Sequence, residues 1–218
     1  MVGIKGCWVR EIGVDQLAVE HALRTKKQID PDCTAFGVQA HRYEMLPTIT
    51  QAKLEQIESD LGFRLPEEYR DFILTIGNGG AATGYGLYSL EDALKDTEDS
   101  SLHLDADFDE TLDLERVNIL ILCQHGCAND DFLILNGQYR GTVWTMIEWV
   151  GEIIPLLKES FDFTQFNGLP LAQRAQAEEH WLAETLAKPV EQYLTFNQWY
   201  QQWLNEAPVP NIANKPKK

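Results

Sequence analysis

Residues 61–85 read LGFRLPEEYRDFILTIGNGGAATGY, and the layout of the rest of the chain follows from this stretch. Just ahead of it, Thr50 is placed to cap a helix, with Ile49 and Leu54 at the two positions of a hydrophobic staple. Leu54, Ile57 and Leu61 recur at helical spacing, and Gly62 supplies a left-handed exit. Pro66 opens a second helix where its missing N–H costs nothing, and Glu67 and Glu68 sit at the positive end of the dipole. Tyr69, Phe72, Ile73 and Ile76 form one apolar face, and Gly77 ends the helix. Asn78-Gly79-Gly80 is then a turn suited to residues that tolerate positive φ. The spacing predicts two short helices followed by a tight glycine elbow.

Working outward, residues 14–23 show Val14, Leu17 or Ala18, and His21 at helical spacing, with Arg24, Lys26 and Lys27 suited to a helix C-terminus. Residues 33–43 read as extended. After the elbow, residues 85–90 (YGLYSL) read as a short strand, followed by a long acidic excursion. Residues 116–123 (RVNILILC) read as a buried strand, 131–135 as a second, 136–141 as a hairpin loop and 142–147 as a third strand. Sequential strands at this spacing predict an antiparallel meander. The pattern weakens over 151–168. Residues 171–188 read as a helix with Ala175, Leu182 and Leu186 on one face and Trp181 beside it. Thr195 and Gln198 form a capping box for a last helix whose stripe is Phe196, Trp199, Trp203 and Leu204. That stripe reads as core. The fold class is α+β, an antiparallel sheet packed with helices and a C-terminal helical extension. We divide the chain into a 1–35 extension, a 36–150 core, a 151–208 helical part of the same domain, and a disordered 209–218 tail.

With 44% hydrophobic and 24% charged residues over 218 positions, the chain has the composition of a globular protein. No apolar run approaches the ~18 residues of a membrane span, and the opening MVGIKGCWVREIGVD has no signal-peptide apolar region. Four cysteines are too few for a disulfide scaffold, so a cytoplasmic protein with reduced thiols is expected. The net charge of −16 disfavours nucleic-acid and anionic-membrane partners. Eleven acidic residues and one lysine fall between Glu91 and Glu115. That run reads either as a solubilising loop or as a patch steering a basic partner; its interspersed Leu102, Leu104, Phe108 and Leu112 fit an interface or an anchor to the core. Nothing in the sequence sets an oligomeric state.

The motif Leu61-Gly62, Leu65-Pro66, Tyr69-Arg70, Phe72 and then Asn78-Gly79-Gly80 resembles the signature of the SMI1/KNR4 family of the SUKH superfamily. Phe36-Gly37 with His41 and Tyr43 resembles the lead-in of longer bacterial members. Gly126-Cys127, Asp131-Phe132-Leu133, Asn136-Gly137, Arg140-Gly141 and Val143-Trp144 resemble their later hairpin. The resemblance covers about residues 36–149. It implies an α+β fold and, for many bacterial members, an immunity protein that binds and neutralises a polymorphic toxin such as a nuclease. Fungal members act instead as regulatory scaffolds, which is the alternative reading. The residues expected to bind a partner are Asn78, Gly80 and Tyr85 at the elbow, Asp105, Asp107, Asp109 and Glu110 in the acidic run, and Asp130, Tyr139 and Arg140 at the hairpin. Tyr85, Tyr88, Tyr139 and Trp144 are the candidate exposed aromatic anchors.

Other chemistries find less support. Gly77-x-Gly79-x-x-Ala82 has a helix before it and a strand after it, the reverse of what phosphate binding needs. Asp105-x-Asp107-x-Asp109 fails a calcium loop at Glu110 and Arg116. Cys123, His125 and Cys127 lack a fourth zinc ligand nearby and read as a core thiol, a turn histidine and a turn thiol. No nucleophile elbow or HExxH appears. The sequence therefore predicts a non-catalytic binding protein with no cofactor and no metal.

Overall fold

A computed structural model describes residues 14–99, 118–127, 129–147, 152–159 and 169–210. Along these run α1 (Gln16–Ile29), α2 (Val38–His41), α3 (Gln51–Leu61), α4 (Glu67–Thr75), α5 (Leu90–Asp99), β1 (Ile119–Gln124), β2 (Asp130–Ile134), β3 (Val143–Ile147), β4 (Glu152–Pro155), α6 (Leu171–Leu186) and α7 (Phe196–Asn205). The fold is α+β.

The α3–α4 pair forms as its sequence requires. Thr50 accepts the Lys53 N–H at 3.3 Å, and Gly62 exits at φ 77° while its N–H closes on the Glu58 and Ser59 carbonyls. Leu54, Leu65, Tyr69 and Ile73 are fully buried. At the elbow, Gly80 exchanges two 2.8 Å backbone bonds with Leu87, and the Ala81 N–H reaches the Glu44 carbonyl at 2.9 Å. Gly80 has φ 109°, and a Cβ there would lie 2.5 Å from the Glu44 oxygen. No side chain fits.

The four strands form an antiparallel meander in chain order, β1-β2-β3-β4. Its two faces are both covered. Leu120, Leu122, Leu133 and Val143 face the main core, where α4 and α7 meet through edge-to-face rings: Phe72–Phe196 at 5.1 Å and Phe72–Tyr200 at 4.6 Å. Phe132, Ile134, Trp144 and Ile153 gather on the other face around Tyr193. The Thr195–Gln198 capping box is formed. One irregularity interrupts the β1–β2 pairing. The β1–β2 register pairs Ile121 with Phe132 but Cys123 with Asp131, leaving Leu122 as an extra residue.

Several sequence expectations are corrected. Residues 85–90 make one bridge, Gly80 to Leu87, rather than a strand, because Leu90 already starts α5. The first part of the acidic run is that helix; Ser89 caps it by accepting the Asp92 N–H at 3.1 Å. Residues 33–43 hold the short α2 instead of an extended segment. A fourth strand, β4, lies where the pattern weakens, ending on Pro155 at the sheet edge. In α1 the buried face is Val19, Leu23 and Lys26, whereas Leu17 is 73% exposed. Ala175 of α6 is exposed, and Trp144 is fully buried, so it is no surface anchor. Arg116, residues 100–117 in general, 161–166 and the 211–218 tail lie outside the described residues.

Candidate functional site

At one end of the sheet, the loop after the elbow meets the β1–β2 turn. The Tyr85 N–H donates to the Gln124 carbonyl at 2.9 Å, which pins this loop to the end of β1. Gly84 permits the approach, since a Cβ there would run into the Gln124 carbonyl and stand 3.0 Å from His125 Nδ1. The Tyr85 side chain lies over Gly126. Its ring tilts against Phe36 with centroids 5.3 Å apart. Phe36 is 63% and Tyr85 45% exposed, so two aromatic rings stand together in solvent. Such rings are the side chains that most often anchor protein interfaces.

Beside this pair runs a groove of about 250 Å³, lined by Lys26, Phe36, Tyr43, Thr83, His125 and Trp203 among others. Polar groups in and behind its walls are bonded within the protein, apart from His41 Nε2. Lys26 donates from Nζ to the carbonyls of Trp203 (2.9 Å) and Glu206, lies 4.7 Å over the Trp203 ring, and so closes the C-terminus of α7. Burial lowers its pKa against the opposing pull of Glu206. Asp30 accepts the Thr34 N–H (2.8 Å), the Thr34 hydroxyl (3.0 Å), the Ala35 N–H (3.0 Å) and the Tyr43 hydroxyl (3.0 Å). Burial works to raise that carboxyl's pKa, and these hydrogen bonds outweigh it and hold it below the usual range. His41 accepts the Tyr43 N–H at Nδ1 (3.1 Å), while its buried Nε2 has no partner. Burial, with Lys26 nearby, pushes its pKa down to about 4.

A second constellation lies at the end of β1 and the start of β2. His125 Nε2 is 3.0 Å from Asp131 Oδ2 and 3.7 Å from Cys123 Sγ, and Trp199 Nε1 donates to the same Asp131 oxygen at 3.0 Å. Burial lowers the His125 pKa, but Asp131 and then Asp130 raise it further, so the net shift is upward. The Cys123 thiol is pushed well up by burial and by Asp131. A thiol held protonated in this way is not an activated nucleophile. Asp130, half-buried, is raised by burial and by Asp96 of α5. Cys123, His125 and Asp131 are the residues here whose donor atoms cluster as metal ligands do, all within 4.8 Å of one another. A larger cavity of about 510 Å³ at the start of α7 is lined by Glu68, Lys158 and several glutamines; Glu68 already accepts the Asn197 N–H at 2.9 Å.

The expected partner-binding residues divide between places. Tyr85 and Asp130 come together at the β1–β2 end. Tyr139 and Arg140 lie at the opposite end of β2. There Tyr139 stacks on Tyr193 at 5.9 Å, and the Arg140 guanidinium donates to the carbonyls of Leu135, Arg64 and Leu65. Asn78 is half-buried: its Oδ1 accepts the Leu90 N–H and its Nδ2 donates to Glu91, both at 3.0 Å. Gly80 is buried in the elbow. Asp105, Asp107, Asp109 and Glu110 lie outside the described residues. Sequence reasoning missed the exposure of Phe36 and the place of Asp131. Exposure is not encoded in a single residue, and Asp131 joins Cys123 only through strand pairing.

Among the described residues no helix is long and apolar enough to cross a membrane. No curated protein and no solved structure matched the chain when it was compared with them. The model of the SMI1 / KNR4 family (SUKH-1) matches residues 48–166, which takes in the α3–α4 pair, the glycine elbow and the strands. The chain belongs to the SMI1/KNR4 family (SUKH-1).

Proposed function

We propose that this protein is a non-catalytic binding domain that docks another protein on the Phe36–Tyr85 edge, in the manner of an immunity protein that neutralises a polymorphic toxin, a nuclease being the candidate class. The observation that carries the reading is the pair of adjacent, solvent-exposed rings held on glycine-constrained loops beside a groove. Rings fixed this way lose little side-chain entropy on binding. Family membership supports a protein-binding role. The net charge of −16, with Asp92, Asp96 and Asp130 near the same end, favours a basic partner and fast, salt-sensitive association.

The test is co-purification of the full chain from its own host, together with direct trials against the products of neighbouring genes. A stoichiometric basic partner released by high salt supports the immunity reading. Absence of binding to any neighbouring product counts against it and in favour of a regulatory scaffold without a toxin partner.

A further inference from the structure

We propose that Cys123, His125 and Asp131 form a binding site for one divalent metal ion of zinc's chemical type, with a fourth coordination position open toward the groove. The three donor atoms stand 3.7 Å (Sγ to Nε2), 3.0 Å (Nε2 to Oδ2) and 4.0 Å (Sγ to Oδ2) apart. The centre of such a triangle is about 2.1 Å from each corner, and zinc bonds to nitrogen, oxygen and sulfur run about 2.0–2.3 Å. One ion therefore reaches all three with shifts of a few tenths of an ångström.

The backbone accounts for the convergence. Strict alternation would send Cys123 to the same face as Ile121, away from Leu133 and Asp131. The extra residue at Leu122 reverses that, setting Cys123 directly opposite Asp131. His125 follows two residues on, where the strand is ending. Trp199 holds that same carboxylate oxygen in place through its indole N–H at 3.0 Å, as an outer-sphere partner does for a ligand. Thiolate, imidazole and carboxylate together suit zinc, whereas magnesium and calcium take oxygen sets. The Cys123 and Asp131 side chains are buried and His125 is 28% exposed, so the ion enters past His125 from the groove that the imidazole lines. As the Sγ–metal bond forms, the thiol proton and the proton shared between His125 and Asp131 pass to solvent, and uptake weakens as pH falls. This site is independent of the docking reading.

The decisive experiment adds cobalt(II) to the untagged, reduced, metal-free full chain. One equivalent should produce a thiolate-to-cobalt charge-transfer band with the visible absorption of a tetrahedral ion, both abolished by zinc. Cys123→Ser should remove the charge-transfer band, and Cys127→Ser and Cys33→Ser should keep it. His125→Gln, at the accessible turn, should weaken binding at least tenfold and keeps the test decisive if Cys123→Ser does not fold. No thiolate band with the folded wild-type chain, a band that survives Cys123→Ser, or one lost with Cys127→Ser overturns the proposal.

Discussion

Glu58 of α3 and Arg70 of α4 meet across the helix pair with Nε 2.7 Å from Oε1, both side chains 7% exposed, and the same Glu58 oxygen accepts the Leu65 N–H at 2.8 Å. One carboxylate thus joins both helices and the loop between them. Arg70→Ala leaves a buried, uncompensated charge, so stability should fall by about 3–5 kcal/mol. Replacing both residues with apolar side chains of similar volume should cost much less. Urea unfolding of the single and double variants measures the difference, and a single variant within about 1 kcal/mol of wild type contradicts the account.

Gly80→Ala should destabilise the fold by at least about 2 kcal/mol, because the new Cβ combines a positive φ with a collision against the Glu44 carbonyl and the Leu46 N–H. Gly137→Ala, at φ 66° with open space around it, carries the backbone strain alone and should cost about 1 kcal/mol. Tm shifts of the two variants give the comparison, and equal shifts would contradict the added cost at Gly80.

How much of this was legible follows the range of each interaction. Thr50, Gly62 and Pro66 act on neighbours within four residues, so they read directly from the sequence, as did the Thr195–Gln198 capping box; the Asn78-Gly79-Gly80 turn reads from the positive φ that its glycines tolerate. Helix α5 was hidden by its charges, although Ser89 with Asp92 and the run Leu90, Ala93, Leu94 carry a helix's signals. The site was far less legible. Arg140 and Asn78 look like free polar anchors in sequence, yet their side chains are spent on carbonyls and on a helix start contributed from elsewhere. Cys123 and Asp131 meet only because one strand carries an extra residue, and spacing along the chain cannot show that.

His41 makes stability depend on pH. Its folded pKa, about 4, lies below the unfolded 6.5, so the unfolded chain binds the proton first as pH falls. The stabilisation is whole above pH 6.5 and is lost as pH drops toward 4. Between pH 7.5 and 5 the wild type should lose about 2 kcal/mol through this group. His41→Asn should flatten that part of the profile; unfolding curves at the two pH values for both proteins give the comparison, and parallel profiles would refute it.

Arg140→Ala removes donors from three carbonyls at the hairpin loop and should cost about 1 kcal/mol of stability. It should leave partner affinity unchanged, since it lies at the end of the sheet remote from Tyr85. A loss of affinity without a loss of stability would return Arg140 to the interface.

Docking on the Phe36–Tyr85 edge is tested by calorimetric titration of wild type, Phe36→Ala, Tyr85→Ala and Leu17→Ala against a partner recovered by co-purification. The account predicts that each aromatic substitution lowers affinity by about thirtyfold or more, as interface anchors do. Leu17→Ala, 73% exposed on α1, should change nothing. Affinity that is unaltered by both aromatic substitutions in folded protein contradicts the claim.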